Sequence, residues 1–269
     1  MKSAPIVFTI TSGKGGVGKT NIAINIAYSL AQHGKRVVVL DADLSLANVD
    51  VLLGIMPKYN LFHVLYDGVK VEDILYRTQY GFDIIPASSG VSEMLELDTG
   101  QKLDLLAELD AIENKVDYLI VDTGAGINDN VLYFNIAAQE RLVVLTPDPT
   151  SLTDAYALIK VLQIKHKVHS FKVVVNMVEN EEMAKEIFHR LHTACDHFLQ
   201  SISLEFAGFV PRDPWVRDAV LSQQVFSSND EITPATQAIQ QVARTILRWD
   251  GLAHTDGNIK FFWKKLLFR

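Results

Sequence analysis

Residues Gly13–Thr20 read GKGGVGKT and fit the pattern G-x-x-x-x-G-K-[ST] of a phosphate-binding loop. The loop follows a short apolar run, Ile6–Thr11, that reads as a buried strand. It precedes Asn21–His33, which has helical period and is closed by Gly34. The chemistry needs that setting. Glycines let successive backbone N–H groups turn inward as an anion nest, and the start of the following helix adds its positive end. Lys19 reaches the β- and γ-phosphates, and Thr20 offers its hydroxyl to Mg²⁺. The candidate nucleotide-binding residues are therefore Gly13, Lys14, Gly15, Gly16, Val17, Gly18, Lys19 and Thr20, with ATP and Mg²⁺ as the expected ligands.

Outward from the loop, short runs of Val, Ile and Leu alternate with helical stretches. Strands are expected at Arg36–Leu40, Phe82–Pro86, Asp117–Val121, Arg141–Thr146, Phe171–Asn176 and Glu205–Val210. Helices are expected at Lys102–Glu113, from Ser151 to about Val168, at Glu181–Phe198 with Asn180 as N-cap, and at Ile232–Trp249. This alternation predicts an α/β fold: a mostly parallel twisted sheet with helices on both faces. Residues 1–249 read as one domain, 250–257 (DGLAHTDG) as a linker, and 258–269 as a C-terminal amphipathic helix.

The bulk numbers narrow the class. A chain of 269 residues holds one large α/β domain, and a net charge of −7 argues against coating nucleic acid by charge alone. The single cysteine, Cys195, makes no internal disulfide and suits a reducing compartment. Met1–Pro5 is too short for a signal peptide, and no apolar run reaches the length of a membrane span. A cytoplasmic protein, with at most a peripheral hold on a membrane, is expected.

Two further acidic sites end strands: Asp41 and Asp43 in DAD, and Asp122 after DYLIV. Strand C-termini of one parallel sheet converge on the edge where ligands bind. Asp122 fits the magnesium-side carboxylate of a phosphate-loop enzyme. The stretch HRLHTACDH at His189–His197 contains metal-ligating residue types, but on one helix it reads as a solvated or core segment.

Lys14, a second lysine inside the loop, is not required by the general motif. KGGVGKT with this lysine resembles the MinD/ParA-type deviant P-loop ATPases. The resemblance continues through LDADLSLANVDVLLGI (Leu40–Ile55) and VDTGAGINDNV (Val121–Val131). TPDPTSLTDAYALIK (Thr146–Lys160), PASSG (Pro86–Gly90) and VPRDPWVRDAV (Val210–Val220) look like one branch, the flagellar number regulators called FlhG or FleN. The resemblance implies that Lys14 crosses a dimer interface to the partner's nucleotide, that Asp43 positions the attacking water, and that Thr20, Asp41 and Asp122 serve the metal. Lys14, Lys19 and Asp43 are then the catalytic set. It also implies that Asn176 bonds the adenine edge, with Pro211 and Arg212 flanking the base. The implied partners are a second copy of the chain, the inner membrane surface, the flagellar GTPase FlhF and the flagellar transcription activator FleQ. Only Met1–Pro5 precede the first strand, where many relatives carry a glutamine-containing segment that stimulates FlhF, so stimulation by that route is not expected. The related nitrogenase iron protein needs paired cysteines, which Cys195 alone does not supply.

The last residues, NIKFFWKKLLFR, carry a second signal. Ile259, Phe262, Trp263, Leu266 and Leu267 share one helical face, and Lys260, Lys264, Lys265 and Arg269 add positive charge. Such a helix suits an anionic membrane surface, or it docks on its own domain, or it does each in turn. Three readings follow: a membrane-associated ATPase switch controlling flagellar number or placement; a partition ATPase that binds DNA non-specifically, which would need a basic patch on the domain; and an ATP-loaded dimer that sequesters a transcription activator.

Overall fold

The segment IVFTITS is buried at every position and forms β1 (Ile6–Ser12), the strand that launches the glycine loop. The structure is a computed structural model that describes residues 5–43, 48–86, 99–113, 115–199, 201–249 and 259–267. After the loop come α1 (Lys19–Gln32), β2 (Val37–Ala42), α2 (Asn48–Leu53), α3 (Leu61–Tyr66), α4 (Val71–Ile74), β3 (Tyr76–Arg77) and β4 (Asp83–Ile85). Next are α5 (Thr99–Glu113), β5 (Tyr118–Ala125), α6 (Asp129–Ala137), β6 (Glu140–Leu145), α7 (Pro149–His166), β7 (Ser170–Val178) and α8 (Glu181–Phe198). β8 (Ser203–Pro211), α9 (Pro214–Leu221), α10 (Pro234–Ile246) and α11 (Ile259–Leu267) complete the described chain.

Among the described residues the strands form one eight-stranded sheet in the order β3-β4-β2-β5-β1-β6-β7-β8. All pairs are parallel except β3–β4, an antiparallel edge that the short polar stretch around Tyr76 did not announce. One face carries α1 and α10; the other carries α5, α6 and α11 towards β4, and α7 and α8 towards β8. Strands buried on both faces are why the sequence shows continuous apolar runs instead of alternation. β1 is central, so its C-terminal end and the loop after it sit where crossovers leave in opposite directions, the crevice in which such sheets bind ligands.

Helix starts follow side-chain chemistry. Asn180 accepts from the Met183 N–H at 2.9 Å and caps α8 as expected. Asp148, Asp213 and Thr233 cap α7, α9 and α10, each followed by proline in the first helical turn. The Thr233–Pro234 start places α10 two residues after the expected Ile232. α6 and α9 were not separately anticipated; they are short helices inside motif stretches.

α11 takes the docked one of the arrangements expected for it. It lies on α5 and α6, and Phe262, Trp263, Leu266 and Leu267 are all at most 3 % exposed, in one cluster with Val7, Leu109 and Phe134. In this conformation the helix is part of the fold and not a separate tail. Residues 250–258 and the side chain of Ile259 lie outside the described residues.

Candidate nucleotide site

The glycine loop is fixed by its neighbours. Gly13 packs so closely on α7 that a Cβ there would overlap the carbonyl oxygen of Asp154. Gly18 precedes α1 with φ 90°, and a Cβ on it would approach the Asn176 amide nitrogen to 2.6 Å. Asn176 uses that nitrogen to donate to the Val17 carbonyl at 2.8 Å. The carboxamide expected at the adenine edge therefore braces the loop. Met177, at φ 60°, lines the cleft beside it. Pro211 pairs with Val178 at the end of β8, and Arg212 donates through Nε to the Met177 carbonyl at 3.1 Å. Pro211 and Arg212, expected to flank the base, do not line the described cleft.

The cleft has a volume of about 680 Å³ and is walled by Gly15, Gly16, Lys19, Thr20, Asp43 and Asn48, among others. Lys19 is only 8 % exposed. Burial lowers its pKa, and the charges of Asp122 and Asp43 partly restore it.

The pairing of β2 with β5 sets Asp41 directly opposite Asp122. Both are buried, and burial is the main reason that the Asp41 carboxyl is pushed up to about 8 and that of Asp122 to about 7. Asp122 raises Asp41 further, while N–H bonds from Val49 and Asp43, each 3.2 Å, oppose the rise. Thr20 and Lys19 pull Asp122 back, yet neither of its oxygens receives a well-formed hydrogen bond. A fully buried carboxylate without a partner is costly. Beside the Thr20 hydroxyl it makes a hard-oxygen donor set of the kind that suits Mg²⁺, and the residues expected to serve a metal thus fit one. Asp43 accepts from Asn48 at 2.9 Å and faces the same cleft.

Lys14 points away from this group. Its ammonium pairs with Asp148 and donates to the Thr150 hydroxyl at 2.6 Å. Asp148 is drawn down to about 2, chiefly by the lysine and then by Thr150. Sequence reading did not single out Asp148 and Thr150 as partners of Lys14. The expected helix began at Ser151 with no cap named, and the nearness of Asp148 and Thr150 to the loop comes from the pairing of β1 with β6. Among the described residues no group of three or more His, Cys, Asp or Glu is placed to hold a metal without other donors, and Cys195 is buried with its thiol pushed up to about 12. No described helix is long and apolar enough to cross a membrane.

A glycine loop between a central strand and its helix, with a lysine and two strand-end carboxylates at one sheet edge, defines a P-loop nucleotide-binding protein. Residues 8–226 match the CobQ/CobB/MinD/ParA nucleotide binding domain, and the chain belongs to that family. It is 41 % identical to the antiactivator FleN of Pseudomonas aeruginosa, over 97 % of this chain and 93 % of that protein. It is 33 % identical to the flagellum site-determining protein YlxH of Helicobacter pylori, over 96 % and 88 %. The MinC:MinD cell division complex of Aquifex aeolicus contains a chain that superposes with a TM-score of 0.70 at 30 % identity, covering 90 % of this chain and 96 % of that one.

Proposed function

We propose that this protein is an ATP-hydrolysing switch of the MinD type that works as a nucleotide-dependent homodimer and controls flagellar number or placement. The observation that carries the ATPase reading is the fully buried Asp122 carboxyl, held by no well-formed hydrogen bond, beside Thr20, Lys19 and Asp41 at the end of the glycine loop. Similarity to FleN and YlxH supports the flagellar assignment.

The loop amides and Lys19 bind the phosphates, and Thr20, Asp41 and Asp122 hold the metal directly or through its waters. Mg²⁺ supplies charge neutralisation on the phosphoryl oxygens when bound. Asp43, hydrogen-bonded to Asn48, orients the attacking water. Lys14 completes the site of the partner subunit, for which it must leave Asp148 and Thr150. A lysine supplied in trans makes hydrolysis slow in the monomer and dependent on the dimer.

The docked α11 gives the dimer something to control. Phe262, Trp263, Leu266 and Leu267 are the side chains that would enter a lipid surface, and they are buried here. Membrane binding thus requires undocking, and two released helices in one dimer gain effective concentration at the inner face of the cell membrane. On this reading the flagellar transcription activator FleQ is restrained by the ATP-bound dimer, and the GTPase FlhF is the second candidate partner.

Asp43→Ala tests the catalytic core. It should retain ATP and accumulate the dimer on size-exclusion with light scattering, while phosphate release falls by at least tenfold. Hydrolysis at the wild-type rate would remove Asp43 from its role.

A further inference from the structure

A second cleft lies away from the glycine loop, between the C-terminal half of α1, the β3–β4 turn, the start of α9 and the segment that follows α9. Its volume is about 590 Å³. Tyr28, Tyr80 and Trp215 form its aromatic walls. The rings are held in place. Tyr28 and Tyr80 meet edge to face at 6.2 Å, and Trp215 donates its indole N–H to the Phe226 carbonyl at 2.9 Å. The turn carrying Tyr80 is closed by two bonds to the Phe82 carbonyl, from the Thr78 N–H at 3.1 Å and the Thr78 hydroxyl at 2.6 Å.

Amides share the lining. Gln79 and Gln224 line the cleft, are exposed, and make no side-chain hydrogen bond among the described residues. A carboxamide both donates and accepts, so two unspent ones match the carbonyl and N–H groups of an extended backbone. Among the described residues Asp230 is the one charged residue lining the cleft. Fixed aromatic walls with free amides suit a polyproline II strand, which carries unspent backbone carbonyls and arrives with little conformational entropy to lose. The lone carboxylate adds a preference for a nearby cation.

We propose that this cleft binds an extended, proline-containing peptide segment bearing a lysine or arginine next to its prolines, on a partner protein. The site shares α1 with the glycine loop, and α9 ends at Leu221 in the wall of the nucleotide cleft, so the two sites lie on common elements. The proposal does not depend on the ATPase reading.

The test is a titration of the full chain, nucleotide-free and with ADP, by NMR of the tryptophan indole N–H signals and by calorimetry. The probe is a synthetic proline-rich decapeptide with one arginine, with a control in which glutamate replaces that arginine. Saturable movement of the Trp215 signal, identified through Trp215→Phe, is expected. Gln79→Ala with Gln224→Ala should weaken binding roughly tenfold, the effect of about two lost hydrogen bonds. Asp230→Lys should weaken the arginine peptide and strengthen the glutamate control. These positions are exposed, so the variants should keep the wild-type melting temperature. An unmoved Trp215 signal at millimolar peptide, equal binding of both peptides, equal binding by the amide variants, or binding of a neutral oligosaccharide such as maltohexaose in place of the peptide would each overturn the proposal.

Discussion

Phe134→Leu in α6 tests whether the docked helix and the membrane compete for one apolar face. Phe134 stacks on Phe262 with ring centroids 6.3 Å apart and planes 23° apart, and both are 1 % exposed. Leucine preserves most of the apolar volume, so the fold should lose no more than about 1.5 kcal/mol. What disappears is the ring-on-ring contact, worth about 0.5–1.5 kcal/mol beyond area burial. That shift falls on the docking equilibrium and raises the released fraction roughly two- to twelvefold. The tail's own chemistry is untouched, so its intrinsic lipid affinity should not change. Co-sedimentation with anionic vesicles, with ADP and with ATP, reads the outcome. The variant should bind more than the wild type in ADP, and a chain lacking residues 258–269 should bind not at all. Binding equal to wild type, with hydrogen exchange in α11 accelerated, would show that release and membrane capture are unrelated.

Asp148→Asn keeps the cap on α7 but removes the charge that holds Lys14, so dimers should form at lower ATP concentration in sedimentation velocity; an unchanged midpoint would deny the latch. The metal-free chain should lose stability as pH rises from about 4 towards 7, because the raised Asp122 and Asp41 pKa values mean that the folded state binds more protons than the unfolded chain over that window. Stabilisation by Mg²⁺ with ADP should accordingly be larger at pH 8 than at pH 6 in thermal melts, and a pH-independent gain would refute the assignment of these carboxylates to the metal. Gly13→Ala, whose methyl would overlap the Asp154 carbonyl, should abolish nucleotide binding and lower the melting temperature, whereas Gly16→Ala, with nothing within 4 Å of an added Cβ, should mainly show the milder strain of its φ of 76°.

The phosphate site, the parallel sheet and the long helices can be read from residue order alone, because these features are local. A glycine loop must turn inward wherever it occurs between strand and helix, and strands buried on both faces must be continuously apolar. Asp41, Asp43 and Asp122 were legible for the same reason, as acidic residues at strand ends. The remaining contacts come from how the strands and helices pack. That packing put Asp41 beside Asp122 through strand register, and it gave Asn176 to the loop carbonyl of Val17, 159 residues away in sequence. It held Lys14 on Asp148, 134 residues distant, where spacing shows no relation. The terminal helix shows why such facts escape a sequence: an apolar helical face reads identically whether its partner is lipid or α5 and α6. In the described conformation the groove beside Phe134 buries four large side chains of that face, a contact no sequence pattern announces.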